Sequence, residues 1–442
     1  NRVVLPSYPF QRSRYFIDRQ EPGETVSDAW LMRSEDKADW RYVPAWTPRY
    51  AECAHDPDGD LSGLPKETWL IFLDETGLGE RAVRQLREAG HSVATVRAGD
   101  AFAALGEHDF ALAPEHGRAG YDALIRELAR RDLLPDRIAH FWLVTGDERH
   151  RPGSSFFHRT QEHGFWSLFH LAQALGEEAP GAAPHLIVVT SDMMQARGEQ
   201  LRYPEKSTVM GAARVIPREM PGFTCSVLDI PSDALSRRRG AGAADPYRAV
   251  MEELLATPAN TVAALRSDKR LELSYRKEPF GEGQDLTLES GSVVLVTGGF
   301  GGIGLTVAEE LARRFGARIA LLSRSTLPDP ETWSEIVGRL APGDRLRHRI
   351  EAVRRIEAAG GRVLTVTADV SNIEEMRDAK LRIETELGPV RAIVHAAGVI
   401  DDAPLLSKHQ MSIEDVFTPK IHGTQVLDTL FPDGSVSWFA LF

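Results

Sequence analysis

Residues 292–304 read "SVVLVTGGFGGIG", an apolar run entering a turn with five glycines in eight residues (297–304). An unbroken run of aliphatic residues suits a strand buried on both faces. The glycines allow a tight turn and a close approach of backbone to a ligand. The segment that follows, "LTVAEELARRFGA" (305–317), has a helical period, and "RIALLSRS" (318–325) is again an apolar strand. In the order strand, glycine turn, helix, strand, the first N–H groups of the helix face the turn and make a site for an anion such as a pyrophosphate. This context turns a weak glycine motif into a nucleotide-binding expectation.

The same order occurs earlier. "TWLIFLD" (68–74), "ETGLGE", "RAVRQLREAGH" and "SVATVRAG" form a second βαβ pattern, and laying Gly77-Leu78-Gly79 over Gly302-Ile303-Gly304 aligns both strands and both helices. The earlier copy has lost most of its glycines and carries Asp74 and Glu75, which are expected to repel a pyrophosphate. Between the copies, "IAHFWLVTG" (138–146), "HLIVVTSD" (185–192) and "CSVLDI" (225–230) read as buried strands, and "GFWSLFHLAQALGEE" (164–178) as a helix. After the second copy come "GGRVLTVTADVS" (360–371), a helical run to Leu387, "VRAIVHAAGV" (390–399), a helix "SIEDVFTPKIHGTQVLDTLF" and a strand "VSWFALF". Such alternation predicts an α/β protein with two doubly wound parallel sheets, the first degenerate and structural, the second cofactor-binding. The expected boundary lies in "FGEGQDLTLESG" (280–291).

The bulk properties set limits. A chain of 442 residues is long enough for two or three domains, and 42% hydrophobic with 26% charged residues is a globular balance. A formal charge of −12 argues against nucleic acid and anionic membranes as partners. The densest basic run, "SRRRG" (236–240), reads as a solvated loop. Cys53 and Cys225 are far apart, without a Cys-x-x-Cys, which predicts neither disulfide framework nor zinc knuckle and fits a reducing, cytoplasmic setting. "HDPDGD" (55–60) lacks the spacing of a calcium loop, and His150, His158 and His163 lack paired ligand spacing, so no metal is expected. No 18-residue apolar run or signal-peptide pattern is present, and the lack of an initial Met suggests a piece of something longer.

The candidate cofactor residues follow from the fold. Thr297, Gly298, Gly299, Phe300, Gly301, Gly302, Ile303 and Gly304 make the turn. Where a dinucleotide fold specific for NAD places an acidic residue, about 20 positions on, this chain has Ser323 and Arg324, a pair that favours NADPH through its 2′-phosphate. Asp369 and Val370 end one predicted strand, and Ala396, Ala397 and Gly398 end the next. Ligands lie beyond the carboxyl ends of such strands, so both sets are expected to face the cofactor.

"TGGFGGIG", "LLSRS", "ADV", "HAAG" and "FTPKIHGTQVL" together resemble the catalytic half of a ketoreductase domain from a modular type I polyketide synthase, in the short-chain dehydrogenase/reductase superfamily. The degenerate copy, ending in "VMGAARVIPREMPGFTCSVLDI" (209–230), is similar to that family's structural subdomain, and "LPSYPFQRSRYF" (5–16) resembles the linker after an acyltransferase. The resemblance implies a linker at 1–39, a structural subdomain at 40–285 and a catalytic subdomain at 286–442, both Rossmann-like. It implies NADPH-dependent reduction of a β-ketoacyl thioester on an acyl carrier protein, with the acyltransferase and ketosynthase of the same synthase as neighbours and no dehydratase-like segment between linker and reductase. Lys420 matches the lysine of the family's catalytic tetrad. The Ser, Tyr and Asn are implied to lie beyond Phe442, so residues 1–442 alone are expected not to reduce a ketone. Asp402, in "VIDDAPL" (399–405), falls on the family's "LDD" position and implies a B-type, D-configured hydroxyl; Ile400 stands where Leu is usual. The rival readings are an inactive ketoreductase that only organises neighbouring domains, against which the intact glycine turn and Lys420 speak, and a free-standing reductase of another short-chain family.

Overall fold

A computed structural model of the chain describes residues 35–146, 155–235, 245–279 and 287–442. Residues 1–34 of the expected linker (1–39), the basic run 236–240 and His150 lie outside the described residues, as does most of the expected boundary. The chain divides into two compact units, 1–45 with 274–283, and 46–273 with 284–442. In the smaller unit, Arg41 pairs with Glu278 at 3.2 Å and Lys277 with Asp39 at 2.9 Å. The larger unit holds both βαβ copies, and strands β1 (Tyr42–Pro48) and β10 (Lys269–Lys277) each run across the division.

The first copy starts with β2 (Thr68–Phe72), α1 (Leu78–Glu88) and β3 (Ser92–Ala98), followed by short strands β4 (Ala103–Ala104) and β5 (Asp109–Leu112) and helix α2 (Arg118–Arg130). Next come β6 (Arg137–Leu143), α3 (Ser155–Gln161), a π turn at Glu162–Trp166 and α4 (Ser167–Glu178). β7 (His185–Ser191), α5 (Val209–Glu219), β8 (Thr224–Ile230), α6 (Tyr247–Leu254) and β9 (Val262–Arg266) complete it before β10. The strand order is β1-β10-β9-β8-β7-β6-β2-β3-β5-β4. The strands from β9 to β5 in that order are parallel, while β4 pairs antiparallel at one edge and β10, next to the other edge strand β1, pairs antiparallel with β9. The sheet is therefore parallel in its interior rather than throughout, as the sequence pattern predicts. The β9–β10 hairpin turns at Ser267, which has a φ of 60°.

The alternation of side chains along β2 shows why both faces are covered. Leu70 and Phe72 join one apolar cluster and Trp69 and Ile71 the other, and each is buried. Full burial of such a side chain contributes about 1.5–3 kcal/mol, so a strand with no polar face has its lowest free energy between two helical layers.

The second copy is β11 (Val293–Thr297), α7 (Gly302–Phe315) and β12 (Arg318–Ser323), then α8 (Trp333–Arg339), α9 (Arg345–Ala358) and β13 (Arg362–Thr367). α10 (Ile373–Glu386), β14 (Val390–His395), α11 (Gln410–Phe417), a π turn at Thr418–His422, α12 (Gly423–Leu430) and β15 (Trp438–Leu441) follow. Its five strands, in the order β13-β12-β11-β14-β15, are all parallel. Val294 and Val296 of β11 face one cluster, Val293 and Leu295 the other. The order reverses between β11 and β14, which makes their carboxyl ends the place where a ligand can enter. The single helix read over 412–431 is thus two helices joined by a π turn. No described helix is long and apolar enough to cross a membrane.

Candidate functional site

At that reversal point a cleft of about 710 Å³ opens. Of the expected cofactor residues, Gly298, Phe300, Gly301, Ser323, Arg324, Asp369, Val370, Ala396, Ala397 and Gly398 line it. Thr297, Gly299, Gly302, Ile303 and Gly304 do not. Thr297 is fully buried and its hydroxyl meets His395, while Gly299 and Gly304 are packed beneath the turn and Ile303 is half exposed on the outer side. Gly298 has a φ of 62°, and a Cβ there would fall 2.4 Å from the Ala396 carbonyl oxygen. Only glycine lets β11 and β14 approach so closely at their ends.

The N-termini of the two paired helices differ in what they hold. α7 has Gly301 as its N-cap, and no side chain caps it. At α1, Asp74 is buried and turns its carboxylate onto the helix: Oδ1 accepts from the Gly79 N–H at 2.7 Å, and Oδ2 accepts from the N–H groups of Thr76 and Leu78 at 2.9 and 3.2 Å. The Thr76 hydroxyl donates to the same oxygen. The sequence suggests repulsion of a phosphate by Asp74; in the fold, the carboxylate itself occupies the anion position. An anion held by helix N–H donors needs no ligand. Asp74→Ala is expected to lower stability by about 1–3 kcal/mol through the donors it strands, with nucleotide affinity unchanged. Urea denaturation and a nucleotide titration on the same variant check both halves of this expectation.

At the end of β12, Arg324 is exposed beside the cleft. Arg349 of α9 reaches the same corner, donates to the Ser325 hydroxyl at 2.7 Å, and lies over the Phe300 ring at 5.3 Å. Sequence reasoning misses it, because it lies on a helix that carries no glycine or strand signal and stands 25 residues from Arg324. Its one sequence signal is the concentration of arginines in "RLRHRIEAVRR" (345–355) in a chain of net negative charge. Asp369 is partly used internally, its Oδ1 accepting from the Ser371 N–H and hydroxyl at 2.9 and 2.6 Å.

Lys420 sits in the π turn and is exposed at the cleft rim; its Cε passes 3.2 Å from where a Cβ on Gly398 would stand. Thr418 and Pro419 line the cleft beside it. Asp402 is exposed on the loop between Gly398 and Leu405 and does not line the cleft. The far end of this loop is held by the first copy: the Gln173 amide donates to the carbonyls of Leu405 and Lys408 at 2.9 and 3.0 Å, and Glu219 accepts from the Leu405 N–H at 2.5 Å. Phe165 packs on Phe417 with ring centroids 4.9 Å apart. The degenerate half thus carries the loop and helix that border the cleft of the other half.

A glycine turn under an open helix N-terminus, Arg324 at the next strand end, Arg349 on α9 and a lysine at the rim make up the candidate site. Residues 292–442 match the KR domain family, and residues 67–238 match the family described as beta-ketoacyl synthase-like, N-terminal. Residues 292–442 are accordingly a KR domain of the kind found in polyketide synthases. It is 30% identical over 266 residues to 6-methylsalicylic acid synthase of Aspergillus terreus, covering 59% of this chain and 14% of that protein. It is 33% identical over 241 residues to a phenolphthiocerol/phthiocerol polyketide synthase subunit of Mycobacterium tuberculosis, covering 53% and 12%. The chain therefore spans a small part of these relatives' length. In fold it is similar to an N-terminal ketoreductase from the macrolactin assembly line, with a TM-score of 0.71 and 20% identity over 90% of this chain and 73% of that one.

Proposed function

We propose that the second half, about residues 286–442, binds NADPH and takes part in reducing a β-ketoacyl thioester carried on an acyl carrier protein to the β-hydroxyacyl thioester. The observation that carries this reading is the contrast between the two helix N-termini. α1 is closed by Asp74, whereas α7 opens without a cap onto a cleft large enough for a dinucleotide. The residues fit the cofactor: the α7 N-terminus for the pyrophosphate, and Ser323, Arg324 and Arg349 for a ribose phosphate. When bound, NADPH supplies the hydride that reduces the carbonyl carbon, while the oxygen takes up a proton. This chain's own contribution is binding, orientation and charge. Lys420 brings a cation to the rim where negative charge develops on oxygen, a place where a fixed positive group lowers the barrier most. Asp402, on a loop anchored by Gln173, is the residue through which the face of attack would be selected, giving the D-hydroxyl. The acyl carrier protein and the neighbouring acyltransferase and ketosynthase are the partners this reading requires. The first half, about residues 40–285, serves as the structural subdomain.

Arg324→Asp tests the cofactor reading. Loss of a charge-assisted pair to the 2′-phosphate, replaced by repulsion, is expected to weaken NADPH on the order of 100-fold, and NADH less than about threefold. Fluorescence titration with both nucleotides reads the difference. Equal weakening of the two would remove the 2′-phosphate from this corner, and no binding of either by the unaltered protein would favour the inactive, organising ketoreductase.

A further inference from the structure

The histidine of "HAAG" joins the end of β11 to the turn that carries Lys420. His395 ends β14 and is 3% exposed. Its Nδ1 lies 2.6 Å from the Thr297 hydroxyl and its Nε2 lies 3.1 Å from the Pro419 carbonyl oxygen. A carbonyl can only accept, so Nε2 carries the proton and donates; in the neutral ring Nδ1 then accepts from the hydroxyl of Thr297. Burial holds the imidazole below its ordinary pKa, with the Pro419 bond acting in the opposite direction, which keeps the ring in this neutral form.

Pro419 belongs to the π turn that separates α11 from α12. In that turn the Gly423 N–H bonds to the Thr418 carbonyl, five residues back, so the backbone is wider than in an α-helix. Such single turns inside helices occur frequently at functional sites. Residue 420 follows Pro419 directly, and its side chain leaves the turn over Gly398. The anchor on the Pro419 carbonyl therefore lies one peptide unit from the backbone that carries the lysine.

We propose that His395 is the positioning residue for Lys420: by tying the Pro419 carbonyl to the ends of β11 and β14, it fixes the π turn from which the lysine reaches the cleft. This rests on the reading of Lys420 as the cation of the reduction. A shift of about 1 Å in a reacting group can cost on the order of 100-fold in rate.

The test uses the full-length protein that contains this chain, with three variants. His395→Asn keeps a polar atom at the Nδ1 position for Thr297 but is too short for Pro419. His395→Gln reaches Pro419 with its Nε2. Lys420→Ala removes the cation itself. His395→Asn is expected to lower kcat by about 10- to 100-fold while KM and nucleotide affinity stay within about twofold, and His395→Gln to recover most of the loss. Added to Lys420→Ala, His395→Asn should cost nothing further, since its effect passes through the lysine. A crystal structure of His395→Asn should show the 418–422 turn relaxed and the lysine displaced. If His395→Asn keeps full kcat beside an inactive Lys420→Ala, or if the two losses multiply, His395 is a packing residue and the proposal fails. Full activity in Lys420→Ala would instead remove the reading of Lys420, and the proposal with it.

Discussion

Gly298→Ala is expected to unfold the nucleotide-binding half under conditions where Gly302→Ala leaves it folded. At a φ of 62° a Cβ costs on the order of 1–2 kcal/mol in any L-residue. At Gly298 it would also stand 2.4 Å from the Ala396 carbonyl oxygen, 2.6 Å from its carbon and 2.7 Å from the Ala397 nitrogen, all backbone. These atoms cannot rotate away as the end of a side chain can. The ends of β11 and β14 must separate, which breaks the bond from the Ala396 N–H to the Thr297 carbonyl at 3.1 Å. Overpacking of this kind adds about 1–3 kcal/mol, so the sum reaches about 2–5 kcal/mol of a total stability of about 5–15 kcal/mol. Gly302 has nothing within 4 Å of its virtual Cβ and already lies in α7, where alanine is favoured over glycine by up to about 1 kcal/mol. Urea denaturation of the two variants decides: a Gly298→Ala midpoint equal to that of Gly302→Ala would show that the strand ends are not held as close as described.

The same two positions show how much the sequence disclosed. A glycine turn after five apolar residues and before a helical period allows few alternatives, and ten of the fifteen candidate cofactor residues, from Gly298 to Gly398, line one cleft while Thr297, Gly299, Gly302, Ile303 and Gly304 do not. Unbroken apolar runs such as "HLIVVTS" identify strands because both faces of a parallel sheet are dry. Other features left weaker traces. A π turn adds one residue to a helix without changing which residue types are apolar, so 418–422 is hidden in the periodicity, and Pro419 is its only local mark. The β9–β10 hairpin depends on Ser267 at a positive φ, where glycine or asparagine would have signalled a turn. Arg349 is brought to Arg324 by helix packing, which spacing along the chain does not encode. The charge of Asp74 was legible, but its role was not, because a carboxylate beside a helix N-terminus excludes a phosphate and replaces it with the same interaction.

Acid should unfold this protein well above the pH at which carboxylates titrate, starting in the first half. Several buried histidines are held neutral there, among them His140, His170 and His185. His140, stacked on Phe72 and bonded to the Ser167 hydroxyl at 2.8 Å, is pushed down to about 3 by burial and then by His163. His170 and His185 are pushed down to about 4, by burial first and next by Arg118 and Arg137. Below pH 6.5 the unfolded chain takes up protons at these sites while the native chain refuses them down to about pH 4. The unfolded state then binds more protons, so stability falls as pH falls through this window. A tenfold difference in proton affinity between the two states corresponds to about 1.4 kcal/mol, so each histidine withdraws on the order of 3 kcal/mol between about pH 6.5 and 4. Together they rival the whole stability of a domain, about 5–15 kcal/mol. His170→Phe isolates one of them. Its Nδ1 has no hydrogen-bond partner among the described residues, and the ring stacks on Trp166 with centroids 5.9 Å apart, so phenylalanine keeps the packing and removes only the titration. Urea denaturation between about pH 7 and 5 should give a stability that rises with pH, with a slope smaller in His170→Phe by up to one proton, about 1.4 kcal/mol per pH unit. A flat profile in the unaltered protein, or an unchanged slope in the variant, would mean that these rings take up protons in the native state, and that water reaches a core that the packing shows as closed.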